Sequence, residues 1–141
     1  MIQRLQSFWL LLAAICAFLT INFSFYSGNI IVGDKPVSFQ YLNATFSIWL
    51  LIITIAMVCI GIIDIFLYKN RKLQGRLALL GLLLSLGNIF IYLREIHRFV
   101  EHEGSHTLTA IFVFAIPFFF FLAFRGIRKD EKLVKSLDRL R

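Results

Sequence analysis

The chain has 141 residues, and 59% of them are hydrophobic while only 16% are charged. Soluble domains carry about 45–50% apolar and about 25% charged residues, so this composition predicts a chain that is partly surrounded by lipid and excludes a disordered one. The formal net charge is +7, and the length excludes a multidomain enzyme.

Four apolar runs follow one another along the chain, at residues 8–25, 46–68, 77–93 and 108–124. Each has 17 to 23 residues, the length at which a helix crosses a hydrocarbon core of about 30 Å. Residues 77–84 are apolar at consecutive positions apart from Gly81, which is typical of a membrane helix and excludes the alternating strands of a barrel. The sequence therefore predicts an all-α membrane protein, with residues 1–141 forming a single four-transmembrane-helix bundle and residues 125–141 forming its tail.

The basic residues predict the orientation of the bundle. Twelve of the 15 lie at the amino terminus, in the 69–76 loop or in the tail. The other three are Lys35, Arg94 and Arg98. By the positive-inside rule, both termini and the 69–76 loop face the cytoplasm, while the longer loops near 26–45 and 94–107 face outward. We expect the anionic headgroups of the inner leaflet, and no nucleic acid, to be the partner of these cations.

Small and polar residues predict which helix faces are buried, because lipid tails are as apolar as the rest of each run. In the first three runs they recur at steps of three and four residues, which favours a left-handed packing of neighbouring helices along one face. The predicted interior stripes are Gln6, Ala13, Ala17, Thr20 and Ser24; Ser47, Thr54, Met57, Gly61, Asp64 and Tyr68; and Ala78, Gly81, Ser85, Asn88 and Tyr92.

Asp64 and Asn88 are the candidate polar sites within the runs. Asp64 is the one ionisable residue well inside a run, and it is either a proton or cation site or the acidic partner of a structural ion pair. The candidate partners in such a pair are Arg4, Lys69, Arg76 and the residues of the tail. Asn88 lies near the middle of its run, which favours a hydrogen bond between helices over a substrate ligand.

Two apolar surfaces are candidates for contact with a partner protein. The fourth run is bulky nearly all round, and its Pro117 predicts a kink or an opened turn. Its candidate surface is Phe118, Phe119, Phe120 and Phe121, for which lipid-facing bulk is the alternative. The tail predicts an amphipathic helix that either continues the fourth span or lies on the headgroups. Its apolar face includes Leu133, Leu137 and Leu140.

The first outer loop carries a hairpin signal. Apolar stretches flank a turn composed of Gly33, Asp34, Lys35 and Pro36. This pattern predicts a short β-hairpin that lies over the bundle. The candidate caps for the helix that follows are Asn43, Thr45 and Ser47.

The second outer loop holds the three histidines of the chain, His97, His102 and His106. His102 and His106 are four residues apart, but Gly104 predicts a break in the helix that would bring them together. We therefore predict no metal and no cofactor, and the chain also lacks the GxSxG, CxxC and GxxxxGK patterns of common catalytic and phosphate-binding sites. The sequence predicts that the protein is not an enzyme.

Three stretches carry a family resemblance: the opening MIQRLQSFWLLLA, the segment IFLYKNRKLQ and the closing RGIRKDEKLVKSLDRLR. Together with the proline-containing fourth run, they resemble a family of small inner-membrane proteins of the Bacteroidetes, catalogued as domain of unknown function 4293. The resemblance implies a four-span protein of a bacterial inner membrane. It implies no activity, cofactor or active-site residues.

Two functional hypotheses follow. The leading one is an accessory, assembly or scaffolding subunit, in which the phenylalanine-rich fourth run and the basic tail engage a larger membrane complex. The alternative is a small oligomeric transporter or channel in which Asp64 and Asn88 line the path. A second protomer, or an internal repeat, would be needed to complete such a path.

Overall fold

The computed structural model describes residues 2–32, 35–100 and 104–138. Its helices are α1 (Ile2–Asn22), α2 (Ile48–Phe66), α3 (Arg71–Ile96) and α4 (Ala110–Asp138), and its strands are β1 (Tyr26–Val32), β2 (Lys35–Leu42) and β3 (Ser105–His106). A short 3-10 turn over Leu67–Lys69 joins α2 to α3. All four helices are long and apolar enough to cross a membrane, which confirms the predicted fold class.

Two helices, α2 and α3, have polar residues at their N-cap positions. Asn70 is the N-cap of α3, and its side-chain oxygen accepts the backbone N–H of Leu73 at 3.5 Å. The helix therefore begins with the charged residues that precede the apolar run at 77, because a capped helix does not need an apolar first turn. Ser47 occupies the N-cap of α2, as one of the predicted alternatives, although its hydroxyl makes no capping hydrogen bond.

The fourth helix extends well beyond its apolar run. α4 is helical through Pro117 and through Gly126, and it ends at Asp138. The described part of the tail thus continues the fourth span, which is one of the two predicted alternatives. Its 29 residues correspond to about 43 Å of helix, more than a hydrocarbon core of about 30 Å requires. The last turns of α4 therefore reach past the apolar part of the bundle.

The helices form an antiparallel bundle in which each one packs on two neighbours. α1 packs against α2 and α4, and α3 packs against the same two helices. Because four helices alternate in direction, the two ends of the described chain lie at one end of the bundle, called here the terminal end. The strands lie at the opposite end, called here the sheet end, in the order β2-β1-β3.

The predicted interior stripes are confirmed at nearly every position. Their buried members are Gln6, Ala13, Ala17, Thr20, Thr54, Met57, Gly61, Asp64, Ala78, Gly81, Ser85, Asn88 and Tyr92. Ser24 and Ser47 are half-buried. The predicted burial of Tyr68 is wrong, since this residue is 52% exposed. It lies in the 3-10 turn, where the spacing of an α-helix no longer applies.

α4 buries a row of residues that its bulky sequence conceals: Val113, Ile116, Phe120, Ala123, Ile127 and Asp130. Phe120 fits against Gly81 of α3, where an added Cβ would lie 2.5 Å from Cε1 of the ring. The prediction that Phe120 belongs to an exposed partner surface is therefore wrong. Its ring fills the space that the glycine leaves between α3 and α4.

The predicted hairpin is present at the sheet end, where β1 pairs antiparallel with β2. Residues 33–34 of the predicted turn lie outside the described residues. On its other edge β1 pairs with β3, and Ile30 forms a bridge with Phe99. The backbone N–H of Val100 also donates to the carbonyl of Asn29 at 2.9 Å. The sheet therefore ties the loop between α1 and α2 to the loop between α3 and α4.

Candidate functional site

Asp64 lies inside the bundle, in the last turns of α2. It is 0% exposed, and neither carboxylate oxygen has a hydrogen-bond partner among the described residues. The helices are close together here because Gly61, one turn earlier, has no side chain: a Cβ at that position would lie 3.0 Å from Cβ of Ala14 in α1. A buried carboxyl group without a partner among the described residues is exceptional, because burying its charge is costly.

Two glutamines bring amide groups to the same end of the bundle. Gln74 of α3 is buried, and its Nε2 donates to the backbone carbonyl of Asp64 at 3.0 Å. Gln6 of α1 is 4% exposed and packs against Gly126 of α4, where an added Cβ would lie 2.9 Å from Cγ of the glutamine. The Nε2 of Gln6 has no hydrogen-bond partner within the described chain.

Among the described residues, an ion pair at the terminal end involves a different acid from Asp64. Nη1 of Arg71 lies 3.7 Å from Oδ2 of Asp130 and donates to the backbone carbonyl of Asp130 at 3.3 Å. Arg76, one of the predicted partners of Asp64, is exposed and lines a groove between α3 and α4. The side chains of Arg4 and Lys69, the other named candidates, lie outside the described residues.

Asn88 lies in the half of the bundle nearer the sheet end. It is 1% exposed, and neither atom of its amide group has a hydrogen-bond partner among the residues that the structure describes. The hydroxyl of Thr54 in α2 is likewise buried and unpartnered. Two other hydroxyls bond within their own helices, Ser85 to the carbonyl of Leu82 and Thr20 to the carbonyl of Ala17, each at 2.7 Å. The predicted bond from Asn88 to another helix is therefore absent from this part of the structure.

An apolar layer separates Asp64 from Asn88. On α2, Met57 lies between Thr54 and Asp64, and on α3 the Gly81 position, filled by Phe120, lies between Gln74 and Asn88. The buried residues of this layer are Leu10, Ala13, Cys16, Ala17, Met57, Ile116, Phe120 and Ala123. The bundle interior thus has two groups of buried polar residues, one around Asp64 and one around Asn88, and the apolar layer lies between them.

The four consecutive phenylalanines of the predicted partner surface, Phe118 to Phe121, point in different directions. Phe118 and Phe121 are 58% and 47% exposed, while Phe120 is buried in the apolar layer. Phe119 is half-buried and stacks on Trp9 of α1, with ring centroids 5.9 Å apart. Of the four, only Phe118 and Phe121 form an exposed surface in this chain.

The apolar face of the tail is described only in part. Leu133 is 45% exposed. The side chain of Leu137 and the whole of Leu140 lie outside the described residues. In the described residues, the exposed apolar surface of the tail therefore consists of Leu133 and the neighbouring Val134, which is 39% exposed.

The histidine loop does not adopt a helical metal-binding arrangement in its described part. Residues 102–106 spell HEGSH, which matches the HExxH pattern in letters. That pattern requires one continuous helix, whereas Ser105–His106 form strand β3 against β1. His97 and His106 are exposed, and no three potential ligands come together among the described residues. His102 lies outside these residues.

Three polar residues at the terminal end of the bundle were not predicted from the sequence to take part in its contacts: Gln74, Arg71 and Asp130. Gln74 lies one turn before Ala78, so extending the third stripe by four residues would have found it. Asp130 continues the steps of three and four that run along the buried face of α4. Its pairing with Arg71 depends on how α4 is rotated against α3. A run of uniformly bulky residues does not indicate which face of α4 packs against α3.

Comparison with known proteins identifies a family. The family model described as Domain of unknown function (DUF4293) matches residues 2–140. The match includes all four helices and the sheet, so it concerns the fold as a whole and not one motif. No curated protein and no solved structure matches the chain.

Proposed function

This chain belongs to the domain of unknown function 4293 family, and we propose that it is a small ion-binding membrane protein in which Asp64 takes up a proton or a small cation. The observation that carries this proposal is the complete burial of Asp64 with both carboxylate oxygens unpartnered in the described structure. We favour ion transport by an oligomer as the role of this site, which is the alternative hypothesis from the sequence.

The argument rests on the cost of burying a charge. An ionised carboxylate that leaves water without gaining a partner is so unstable that the group stays neutral or binds a cation. Gln74 donates to the backbone carbonyl of Asp64 and not to its carboxylate, so both carboxylate oxygens lack a partner among the described residues and can accept an ion. Gln6 adds a second buried amide at the same end of the bundle, with its Nε2 unpartnered within the described chain.

Passage across the bundle would require a change of conformation. The apolar layer around Met57 and Phe120 closes the interior between Asp64 and the polar groups of Thr54 and Asn88. A single bundle in this conformation therefore holds an ion on one side. Movement of the helices, or a second copy that completes a path, would carry the ion towards Asn88.

Proteoliposomes with imposed proton, sodium or potassium gradients test the proposal. We expect the wild-type protein to dissipate at least one of these gradients, and Asp64→Asn to slow it by about tenfold or more, because an amide neither exchanges a proton nor neutralises a cation. Asp130→Asn is the matched control. It changes a buried acid at the same end, but one that is paired with Arg71, and we expect its flux to remain near that of the wild type.

Infrared difference spectroscopy of the same samples reads the carboxyl group directly. A carboxyl signal that responds to pH or to the cation, and that disappears in Asp64→Asn alone, is expected. Equal flux in Asp64→Asn and wild type would refute the transport step. The absence of an Asp64-dependent spectral change would refute ion binding itself.

An accessory or scaffolding role in a membrane complex is the second candidate, and a specific surface favours it. Ile111, Phe114, Phe118 and Phe121 form an exposed row along α4, and Leu133 and Val134 follow near its end. Photo-crosslinking from position 118 should then recover one reproducible membrane partner, whereas position 83 on α3, an exposed leucine, should recover only lipid. Equal patterns from the two positions would count against this role.

The orientation that we propose follows from the positive-inside rule. Five described cations lie at the terminal end, so we infer that this end faces the cytoplasm: Arg71, Lys72, Arg76, Arg125 and Arg128. We propose that the membrane is a bacterial inner membrane, as the family resemblance implies. A reporter that is active only in the cytoplasm, fused after the last residue, should be active. Activity of a periplasm-dependent reporter at the same position would reverse the proposed orientation.

A further inference from the structure

A basic groove lies between α3 and α4 at the terminal end of the bundle. Its volume is about 320 Å³, near the lower end of the range of about 300–1,000 Å³ for small-molecule sites. Its lining side chains comprise three cations, one acid and two apolar groups: Lys72, Arg76, Arg128, Glu131, Leu79 and Phe124. It is distinct from the Asp64 site, which lies in the bundle interior.

The polarity of the groove changes in the same direction along both of its walls. From the terminal end inward, the α3 wall is formed by Lys72, Arg76 and Leu79. In the same direction, the antiparallel α4 wall is formed by Glu131, Arg128 and Phe124. Each wall follows steps of four and three residues, so its side chains share one helix face. The groove is therefore charged at its outer end and apolar about 10 Å deeper, where the apolar run of α3 has begun.

The charge in the groove has an excess of two positive units, from three cations and one acid. Arg71 does not add to it, because its guanidinium is paired with Asp130. The guanidinium of Arg128 lies 4.8 Å from the centre of the Phe124 ring, which holds it at the boundary between the charged and apolar parts. The positive end of the α3 dipole adds to the same field, since Lys72 lies in the first turn of that helix.

We propose that this groove binds the phosphate group of an anionic phospholipid, with an acyl chain lying beside Leu79 and Phe124. Arginine guanidinium groups match phosphate oxygens in geometry as well as in charge, and basic pockets between membrane helices are known sites for anionic headgroups. The apolar inner half favours a lipid over a soluble phosphate, because a soluble anion gains nothing from Leu79 and Phe124. This inference does not depend on the proposed role of Asp64.

Titration of the full-length protein in a mild neutral detergent tests the proposal, with bound lipid measured by native mass spectrometry. The probes are phosphatidylglycerol, the zwitterionic phosphatidylcholine and inorganic phosphate. We expect phosphatidylglycerol to bind in a stoichiometric amount and the other two to bind much more weakly. The double variant Arg76→Gln/Arg128→Gln should bind phosphatidylglycerol about thirtyfold more weakly, from the usual contribution of two basic side chains.

The matched control is Arg125→Gln/Lys129→Gln, which removes two exposed cations of α4 that do not line the groove. It should bind phosphatidylglycerol like the wild type. If it loses as much affinity as the groove variant, the attraction is diffuse and the proposal is wrong. Competition by inorganic phosphate at equal strength would identify a soluble anion and also overturn it. Arg76→Lys/Arg128→Lys keeps the charge and should retain most of the binding, which separates loss of the site from loss of the fold.

Discussion

Replacing Gly81 with valine is expected to destabilise the bundle by about 1–3 kcal/mol, the usual cost of overpacking a core. The new Cβ would lie 2.5 Å from Cε1 and 2.8 Å from Cδ1 of Phe120. Phe120 is fully buried in the apolar layer, so its ring can move only by displacing its neighbours. The melting temperature in detergent, followed by circular dichroism, measures the effect.

Gly87→Val is the matched control for this experiment. Gly87 lies in the same helix, and a Cβ added there meets no atom within 4 Å. Both substitutions change helix propensity equally, so only the contact with Phe120 distinguishes them. Adding Phe120→Leu to Gly81→Val should recover part of the stability through a shared packing term. Equal losses from the two valine variants would show that the Gly81 contact has no special weight.

Asp64→Leu is expected to raise the stability of the folded protein by about 1–3 kcal/mol while removing ion uptake. A buried polar group without a partner costs roughly that much in mutational series, and leucine is close in shape to aspartate. The hydrogen bond from Gln74 is accepted by the backbone carbonyl of Asp64, so it survives the substitution. Thermal unfolding at several pH values, compared with flux in proteoliposomes, gives the two readouts together.

Asp130→Leu should change stability in the opposite direction. Asp130 is 7% exposed and paired with Arg71, so its loss leaves a half-buried guanidinium without its acid. A gain in stability for Asp64→Leu together with a loss for Asp130→Leu would separate an unpartnered acid from a paired one. A loss of stability in both variants would mean that Asp64 has a partner in the folded protein, which contradicts the proposed ion site.

The interior positions of three helices could be predicted because small and polar residues are rare in lipid-facing runs. Gly81, Ser85 and Asn88 stand out in a stretch of leucines, and their spacing alone identifies the buried face of α3. The same reasoning failed for α4, where buried and exposed phenylalanines are identical in type. Only the partner decides which ring is buried, and here Gly81 selects Phe120.

The contacts of charged groups were harder to predict than their positions. The sequence places Asp64 near many cations, yet Arg71, a described arginine of the terminal end, pairs with a different buried acid, Asp130. The basic groove was also missed, because Arg76 and Arg128 are distant in sequence and meet only through the antiparallel packing of α3 and α4. Long side chains reach several alternatives, and the rotation of each helix selects among them.

The three-stranded sheet restricts how the helices can move apart. Because β1 is paired on both edges, the connections between successive helices are fastened to one another at that extremity. At the other extremity, the direct link between α2 and α3 is the short turn Leu67–Lys69. Any widening of the bundle should therefore pivot at the strands and begin at the terminal end, beside Asp64. Water would gain access to the carboxyl group there.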